Sequence, residues 1–464
     1  MKRACLLFML GLCLLTILSC AEKEKMEATS EPSKGKVNLI TLDPGHYHAA
    51  LVQKSMYEQV NPTVYVYAPN GPDVRNHTGQ ILRFNSRPEN PTHWLQEIYT
   101  GDDFLEKMVA EKRGDIVVLS GKNRRKTEYI KASIEAGLNV FCDKPMCISP
   151  EGFEVLKQAF DEARRKNLLL YDIMTERYNV TCILQKLLVL DKDLFGDIEA
   201  GTPENPAVVK ESVHHFFKYV AGAPLKRPAW YFDTTQQGEG LVDVTTHLID
   251  LMMWTCFPGQ AIDYRKDIVI NKARRSPTML TKEQYQKVTG VPDFPEYLKD
   301  DLNDEGVLPC YANGEATFTM KGICMKLSVT WDFQAPEGGA DTHTSLFRGS
   351  KAHVIIRQGK EQNYRPQVYV EPAPGGNADE VAVALKNAVE SLQSQFPGLS
   401  ANKEGDGWHV VIPDSCHVGH EAHFRNVMEY YLGYLPKGRL PDWEVSFMIA
   451  KYYITTQALK MARQ

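Results

Sequence analysis

The chain has 464 residues, of which 43% are hydrophobic and 24% charged, and its net charge is −5. That length exceeds one ordinary domain, and the composition is that of a globular chain with sizeable cores. A mildly acidic chain without a basic stripe argues against a nucleic-acid partner.

The N-terminus carries Lys2-Arg3, an apolar run from Ala4 to Leu18, and then Ser19-Cys20. The run is too short to span a bilayer and has the layout of an export signal. A small residue followed by Cys resembles a bacterial lipobox, so Cys20 is the expected lipidation site. Residues 1–20 read as a lipoprotein signal peptide and 21–36 as a polar tether. The expected location is the periplasm or cell surface of a Gram-negative bacterium, with the membrane reached only through the lipid anchor. Cysteines 142, 147, 182, 256, 310, 324 and 416 form no Cys-x-x-Cys pair and read as core residues.

Val37–Leu42 reads as a buried strand, followed by the turn Asp43-Pro44-Gly45-His46 and a helical pattern through Ala50, Leu51 and Met56. Strand, tight turn and helix begin a dinucleotide-binding unit. Further strands are predicted at Thr63–Tyr67, Asp115–Ser120, Asn139–Cys142 and Leu168–Tyr171. Helices are predicted near Phe104–Lys112, Lys126–Ala136 and Pro150–Lys166. This alternation predicts a doubly wound parallel sheet over residues 37–172.

From about Val208 the pattern changes. Val208–Phe217, Ala316–Met320, Met325–Phe333 and Ala352–Arg357 alternate as antiparallel strands do, while Asn271–Asp304 is charged and reads as an insertion. Residues 173–464 are thus expected to form an α+β domain with a mostly antiparallel sheet, ending in helices at Ala422–Leu432 and Asp442–Met461. Within it, Gly238–Trp254 has helical apolar spacing. Asp243 and His247, four residues apart, would share a helix face as a base and its orienting carboxylate. On spacing alone a structural pair is the favoured explanation.

Asn139-Val-Phe-Cys-Asp143-Lys144-Pro145 resembles the V-x-C-E-K-P strand end of the glucose–fructose oxidoreductase / inositol dehydrogenase / MocA (Gfo/Idh/MocA) family. Gly238-x-Gly240-x-x-Asp243-x-x-x-His247-x-x-Asp250 is similar to its G-G-G-x-L-x-D-x-x-x-H-x-I-D. Their order and separation, with Phe195-Gly196-Asp197-Ile198 between them, mark a family member over residues 37–260. The C-terminal third is similar to an extended lobe found in exported carbohydrate-handling relatives.

The resemblance implies a Rossmann domain binding NAD or NADP, and a nicotinamide-dependent oxidoreductase acting on a ring hydroxyl of a sugar or glycoside. It implies Lys144, Asp243 and His247 as catalytic residues. Asp43, Gly45, His46, Ser120, Asn123, Asp143, Lys144 and Pro145 would hold the cofactor. Arg177, Tyr178, His215 and Trp230 are candidates for the substrate. The first turn has one glycine where the family carries G-x-G-x-x-G/A, and Asp43 adds negative charge there; Gly45 and His46 remain as amide donors. Two alternatives stay open: a glycosidase acting by transient oxidation, elimination and reduction, and a non-catalytic glycan-binding lipoprotein. A homo-oligomer is compatible with either. His417-x-x-His420-Glu421-x-His423 lacks a His-Glu-x-x-His pattern, and no metal is assigned.

Overall fold

The computed structural model describes residues 35–220 and 223–464. Cys20, the signal segment and nearly all of the tether lie outside the described residues. The first half builds a six-stranded parallel sheet. Its elements are β1 (Val37–Leu42), α1 (His48–Val52), β2 (Val60–Ala68), α2 (Pro72–Ser86), β3 (Leu95–Thr100), α3 (Phe104–Glu111), β4 (Ile116–Leu119), α4 (Lys126–Glu135), β5 (Asn139–Asp143), α5 (Pro150–Lys166) and β6 (Leu170–Ile173). The strand order is β3-β2-β1-β4-β5-β6. It reverses between β1 and β4, where a doubly wound sheet opens a crevice at its carboxyl edge. Strands β4 and β6 are buried throughout and β5 from Val140 onward, as expected of strands covered on both faces.

Two elements of this half escape periodicity. Helix α2 buries only Val74, His77 and Ile81. Strand β3 lies at the sheet edge with Leu95 and Ile98 exposed. Neither presents an apolar face strong enough to read.

Helix α6 (Val180–Leu190) leads into the second sheet. There follow β7 (Val208–Phe217), the small hairpin β8 (Tyr219–Val220) and β9 (Ala223–Pro224), α7 (Thr234–Gln237) and α8 (Thr245–Cys256). Next come β10 (Ile268–Leu280), α9 (Lys282–Thr289), α10 (Glu296–Lys299), β11 (Leu308–Met320) and β12 (Ile323–Gln334). After these are β13 (Thr342–Arg348), β14 (Ala352–Gln358), β15 (Gln367–Pro372), α11 (Ala378–Ser391), β16 (Ser400–Glu404), β17 (Gly407–Val411), α12 (His420–Tyr434) and α13 (Asp442–Ala462). The nine-stranded order is β10-β11-β12-β7-β13-β14-β15-β17-β16, antiparallel except between β12 and β7.

The segment read as an insertion is largely structural. Its first part is the edge strand β10, paired along β11; between its buried ends Ile268 and Leu280 every side chain is exposed or half-buried, which accounts for the charge. Its second part begins with a capping box at Thr281 and Gln284 and sends Tyr285, Val288 and Leu298 into an aromatic cluster with Phe216, Phe232 and Trp331.

The C-terminal helices return to the first sheet. Phe424, Val427, Met428 and Tyr431 of α12 complete its core. Helix α13 is apolar on more than one side because it packs in two directions. Met448 and Tyr452 face the first core, whereas Phe447, Ala450, Ile454 and Leu459 face the second. Residues Val37–Gln464 accordingly form one compact unit.

Candidate active site

Strand β5 ends at Asp143, followed by Lys144 and Pro145, whose connecting peptide is cis. Lys144 Nζ donates to Asp243 Oδ1 at 2.6 Å, and Gln237 Nε2 donates to Asp243 Oδ2 at 3.2 Å. The two charged side chains are 14% and 9% exposed. Burial alone would raise the Asp243 carboxyl, but the Lys144 ammonium beside it holds it below the ordinary carboxylate value.

This corrects the expected stack of Asp243 beneath His247. Helix α8 starts only at Thr245, and Asp243 lies before it at φ −107° and ψ −93°. The cause is local. Gly238 sits at φ +98°, and a Cβ on Gly240 would lie 1.9 Å from the Ala312 carbonyl oxygen, so the segment is pressed onto β11 before the helix begins. Buried Glu239 anchors the same bend by accepting from Arg275 and Arg463. His247 follows on the first turn of α8, half-buried.

The turn after β1 departs from a phosphate cradle. Asp43 adopts φ +45°, a region Asp tolerates better than most residues, and its Oδ2 accepts from the Tyr129 hydroxyl at 3.0 Å. Burial raises the Asp43 carboxyl above its ordinary value, with Tyr129 opposing. The Gly45 and His46 amides, expected as donors to a ligand, both donate to the Ser120 carbonyl at 3.1 Å. Gly121 permits this closure, since a Cβ there would stand 2.2 Å from the Asp43 carbonyl oxygen.

Two of the predicted cofactor residues, Ser120 and His46, converge on a third, Asp143. Ser120 Oγ donates to Asp143 Oδ2 at 2.9 Å, His48 Nδ1 lies 2.9 Å from the same oxygen, and His46 Nδ1 lies 3.5 Å from it. Buried Lys126 donates to the Asp143 backbone carbonyl at 2.9 Å. Burial first, and then neighbouring His48, push the His46 imidazole well down. Asn123 Nδ2 donates to the Gln237 carbonyl at 2.6 Å, tying the turn after β4 to the segment that carries Asp243.

The predicted substrate residues are dispersed. Arg177 is not on a pocket wall. Its guanidinium makes paired contacts with Asp250 at 2.6 and 2.8 Å and with Glu444 at 2.8 and 2.9 Å, and it is only 8% exposed. Lys451 continues the network to Asp250 and Asp172. Tyr178 packs half-buried against the first core. His215 is buried and bonded to Asp341 at 2.9 Å. Trp230 lies over the first turn, within 3.5 Å of where a Gly45 Cβ would stand. Trp331 stacks between His214 and Phe216, and Arg227 lies over both Trp331 and Tyr231. A small cleft bounded by Phe216, Tyr231, Trp331, Gln237 and Asp243 joins this aromatic wall to the Lys144–Asp243 pair. Gln237 and Phe216 carried no sequence signal. His48 did, as half of a His-x-His repeat.

The family described as "Oxidoreductase family, NAD-binding Rossmann fold" matches residues 64–171, and "Putative oxidoreductase C terminal domain" matches 184–463. The chain belongs to the Gfo/Idh/MocA oxidoreductases. It is 52% identical to a "putative oxidoreductase" of Parabacteroides merdae whose crystal structure aligns with a TM-score of 0.91, covering 92% of this chain and 98% of that one. It is 28% identical over 154 residues to an uncharacterized oxidoreductase of Schizosaccharomyces pombe, or 33% of this chain, and spans only 36% of that curated relative's length. The fold is shared with levoglucosan dehydrogenase in complex with NADH and levoglucosan (13% identity, TM-score 0.57, 92% of this chain and 97% of that one). It is also shared with a 3-ketoreductase from Actinomadura kijaniata in complex with NADP (13% identity, TM-score 0.52, 90% and 96%).

The first half of this Gfo/Idh/MocA oxidoreductase is therefore an NAD-binding Rossmann domain. The residues at the β4 and β5 ends suit such a cofactor: Ser120, Asn123, Asp143 and Lys144 supply polar groups at the crevice. The Trp230 indole N–H is buried beside the first turn without an acceptor among the described residues, a donor an incoming oxygen would satisfy. The two amides committed to Ser120 are the departure.

Proposed function

We propose that this oxidoreductase acts on a ring hydroxyl of a sugar or glycoside, forming a keto-sugar with tightly held NAD or NADP. The observation that carries the reading is the Lys144–Asp243 ion pair, 2.6 Å long, whose Asp243 lines a small cleft walled by aromatic residues. An ammonium there stabilises negative charge developing on a hydroxyl oxygen, and two of its three protons remain for that oxygen. Asp243, held ionised, orients the ammonium. His247 accepts the hydroxyl proton. The nicotinamide supplies the hydride acceptor. Substrates carried by the fold relatives, levoglucosan among them, are consistent with this class.

The test is the purified full chain with bound nicotinamide and a panel of aryl glycosides, followed by nicotinamide absorbance and by product mass. Formation of a keto-sugar supports the reading. Aglycone release without net redox change transfers the same residues to the oxidation–elimination alternative. A protein that neither carries nor takes up nicotinamide refutes both. His247→Ala should abolish turnover while the cofactor stays bound.

We further propose that the chain is exported and anchored through lipidated Cys20, a reading supported by the N-terminal sequence alone. Mass spectrometry of the membrane-derived protein should show a diacylglyceryl modification at Cys20; an unmodified N-terminus refutes it.

A further inference from the structure

His46 and His48 are not needed for the hydroxyl chemistry above, yet they are placed with unusual economy around one carboxylate. His48 Nδ1 lies 2.9 Å and His46 Nδ1 3.5 Å from Asp143 Oδ2, and the three donor atoms all lie within 4.8 Å of one another. Their rings meet edge to face at 4.1 Å. Bonds of about 2.0–2.2 Å around a tetrahedral ion put neighbouring ligand atoms about 3.3–3.6 Å apart. The 3.5 Å His46 spacing falls in that range and the 2.9 Å His48 spacing lies below it. We propose that His46, His48 and Asp143 form a binding site for a divalent transition-metal ion, Zn²⁺ in the first instance.

The topology makes the site. β1 and β5 both flank β4, so the turn after β1 brings His46 and His48 to the carboxyl end of β5 where Asp143 lies. The turn is held before any ion arrives, because the Gly45 and His46 amides both bond the Ser120 carbonyl. The same hydrogen bonds that close the phosphate cradle thus preorganise the histidine pair. Outer groups are present too: Ser120 Oγ steadies the Asp143 carboxylate and Lys126 its backbone. The His48 amide reaches His46 Nδ1 only at 3.4 Å, a weak contact for an ion to displace.

Exposure grades from 24% at His46 to 11% at His48 and 6% at Asp143. Three protein ligands with one open side match the plan of catalytic rather than structural zinc sites. Two imidazoles and one carboxylate are the ligand set suited to Zn²⁺ and its first-row neighbours rather than Mg²⁺ or Ca²⁺. Asp143 immediately precedes Lys144 in the chain, and the Lys144–Asp243 pair together carries no net charge.

The full chain, stripped with chelator and free of nicotinamide, is titrated with Co²⁺ and followed by the visible d–d bands. One equivalent with the bands of a low-coordinate site, displaced by Zn²⁺, is expected. The double variant His46→Ala/His48→Ala should lose the signal, and Ser120→Ala should weaken binding by about tenfold or more. Saturating Zn²⁺ should also raise the Tm of the unmodified chain, a readout independent of any variant's folding. Absent bands, or a full equivalent retained by the double variant, overturns the site. So does a Tm indifferent to Zn²⁺. None of these readouts requires nicotinamide or substrate, so failure here leaves the hydroxyl-oxidation reading to stand or fall separately.

Discussion

Replacing Arg177 by Met tests whether this arginine is part of the scaffold or of the substrate pocket. Its guanidinium makes four contacts of 2.6–2.9 Å with Asp250 and Glu444, both 1% exposed. Charge-assisted bonds of this kind contribute roughly 1.5–3 kcal/mol each, and desolvation of the ions offsets most of the sum. Methionine fills the volume but leaves Asp250 with Lys451, which Asp172 shares, and Glu444 with the Tyr430 hydroxyl at 3.0 Å. Breaking a buried pair from one side costs about 3–5 kcal/mol. That is a large share of the roughly 5–15 kcal/mol available to a folded domain.

Glu444 adds a second observable. Burial, which Arg177 only partly opposes, leaves its carboxyl raised above the ordinary value. A folded-state value above the unfolded one means the stabilising proton is fully present at low pH and its contribution is lost as pH rises through the folded value. Without Arg177 the carboxyl should rise further, so the stability deficit of the variant should widen from pH 5 towards neutrality. Urea unfolding followed by circular dichroism at several pH values measures both effects. A variant losing less than about 1 kcal/mol, while its KM for the sugar climbs, would refute the scaffold assignment and restore Arg177 to the pocket.

Three further outcomes follow from particular contacts. Gly240→Ala places a methyl 1.9 Å from the Ala312 carbonyl; it should cost about 1–3 kcal/mol in urea unfolding and, by displacing Asp243 from Lys144, lower kcat more than it changes cofactor affinity. An unchanged kcat would show that the bend does not position Asp243. Lys210 is wholly buried with Ser345 and Gln185, and burial lowers its ammonium to about 8. The unfolded chain keeps that proton up to about pH 10.4, so wild-type stability should gain from this group between about pH 8 and 10. Lys210→Met should remove that gain and be more stable than wild type at pH 7, by up to about 3 kcal/mol; equal pH slopes in the two proteins contradict this. Ser149→Ala deletes the N-cap of α5, whose hydroxyl accepts from the Gly152 amide at 3.0 Å, and should lower unfolding stability by about 1 kcal/mol; an unchanged midpoint would mean that water replaces the cap.

The chain order of the first sheet could be read from the sequence because each buried strand is a short apolar run and each covering helix a local 3.6-residue pattern. Asn139–Asp143 and Pro150–Lys166 carry that signal within themselves. Lys144 and Asp243, which the fold pairs, were legible because their residue types sit in a recognisable order. Edge elements were not: β3 and β10 have one partner strand and a wet face, so their side chains need not be apolar.

What only the tertiary structure decided is which of these residues meet. Asp243 pairs with Lys144, 99 positions away, because Gly238 and Gly240 break the helix that would have stacked it on His247. Arg177 faces inward because α8 and α13 each bring it a carboxylate, from Asp250 and Glu444. His46 and His48 reach Asp143 only because β1 and β5 are both neighbours of β4. Local patterns determine where strands and helices form. Contacts between distant residues depend on strand order and on how closely two backbones can approach, and neither is written within any one stretch of the chain.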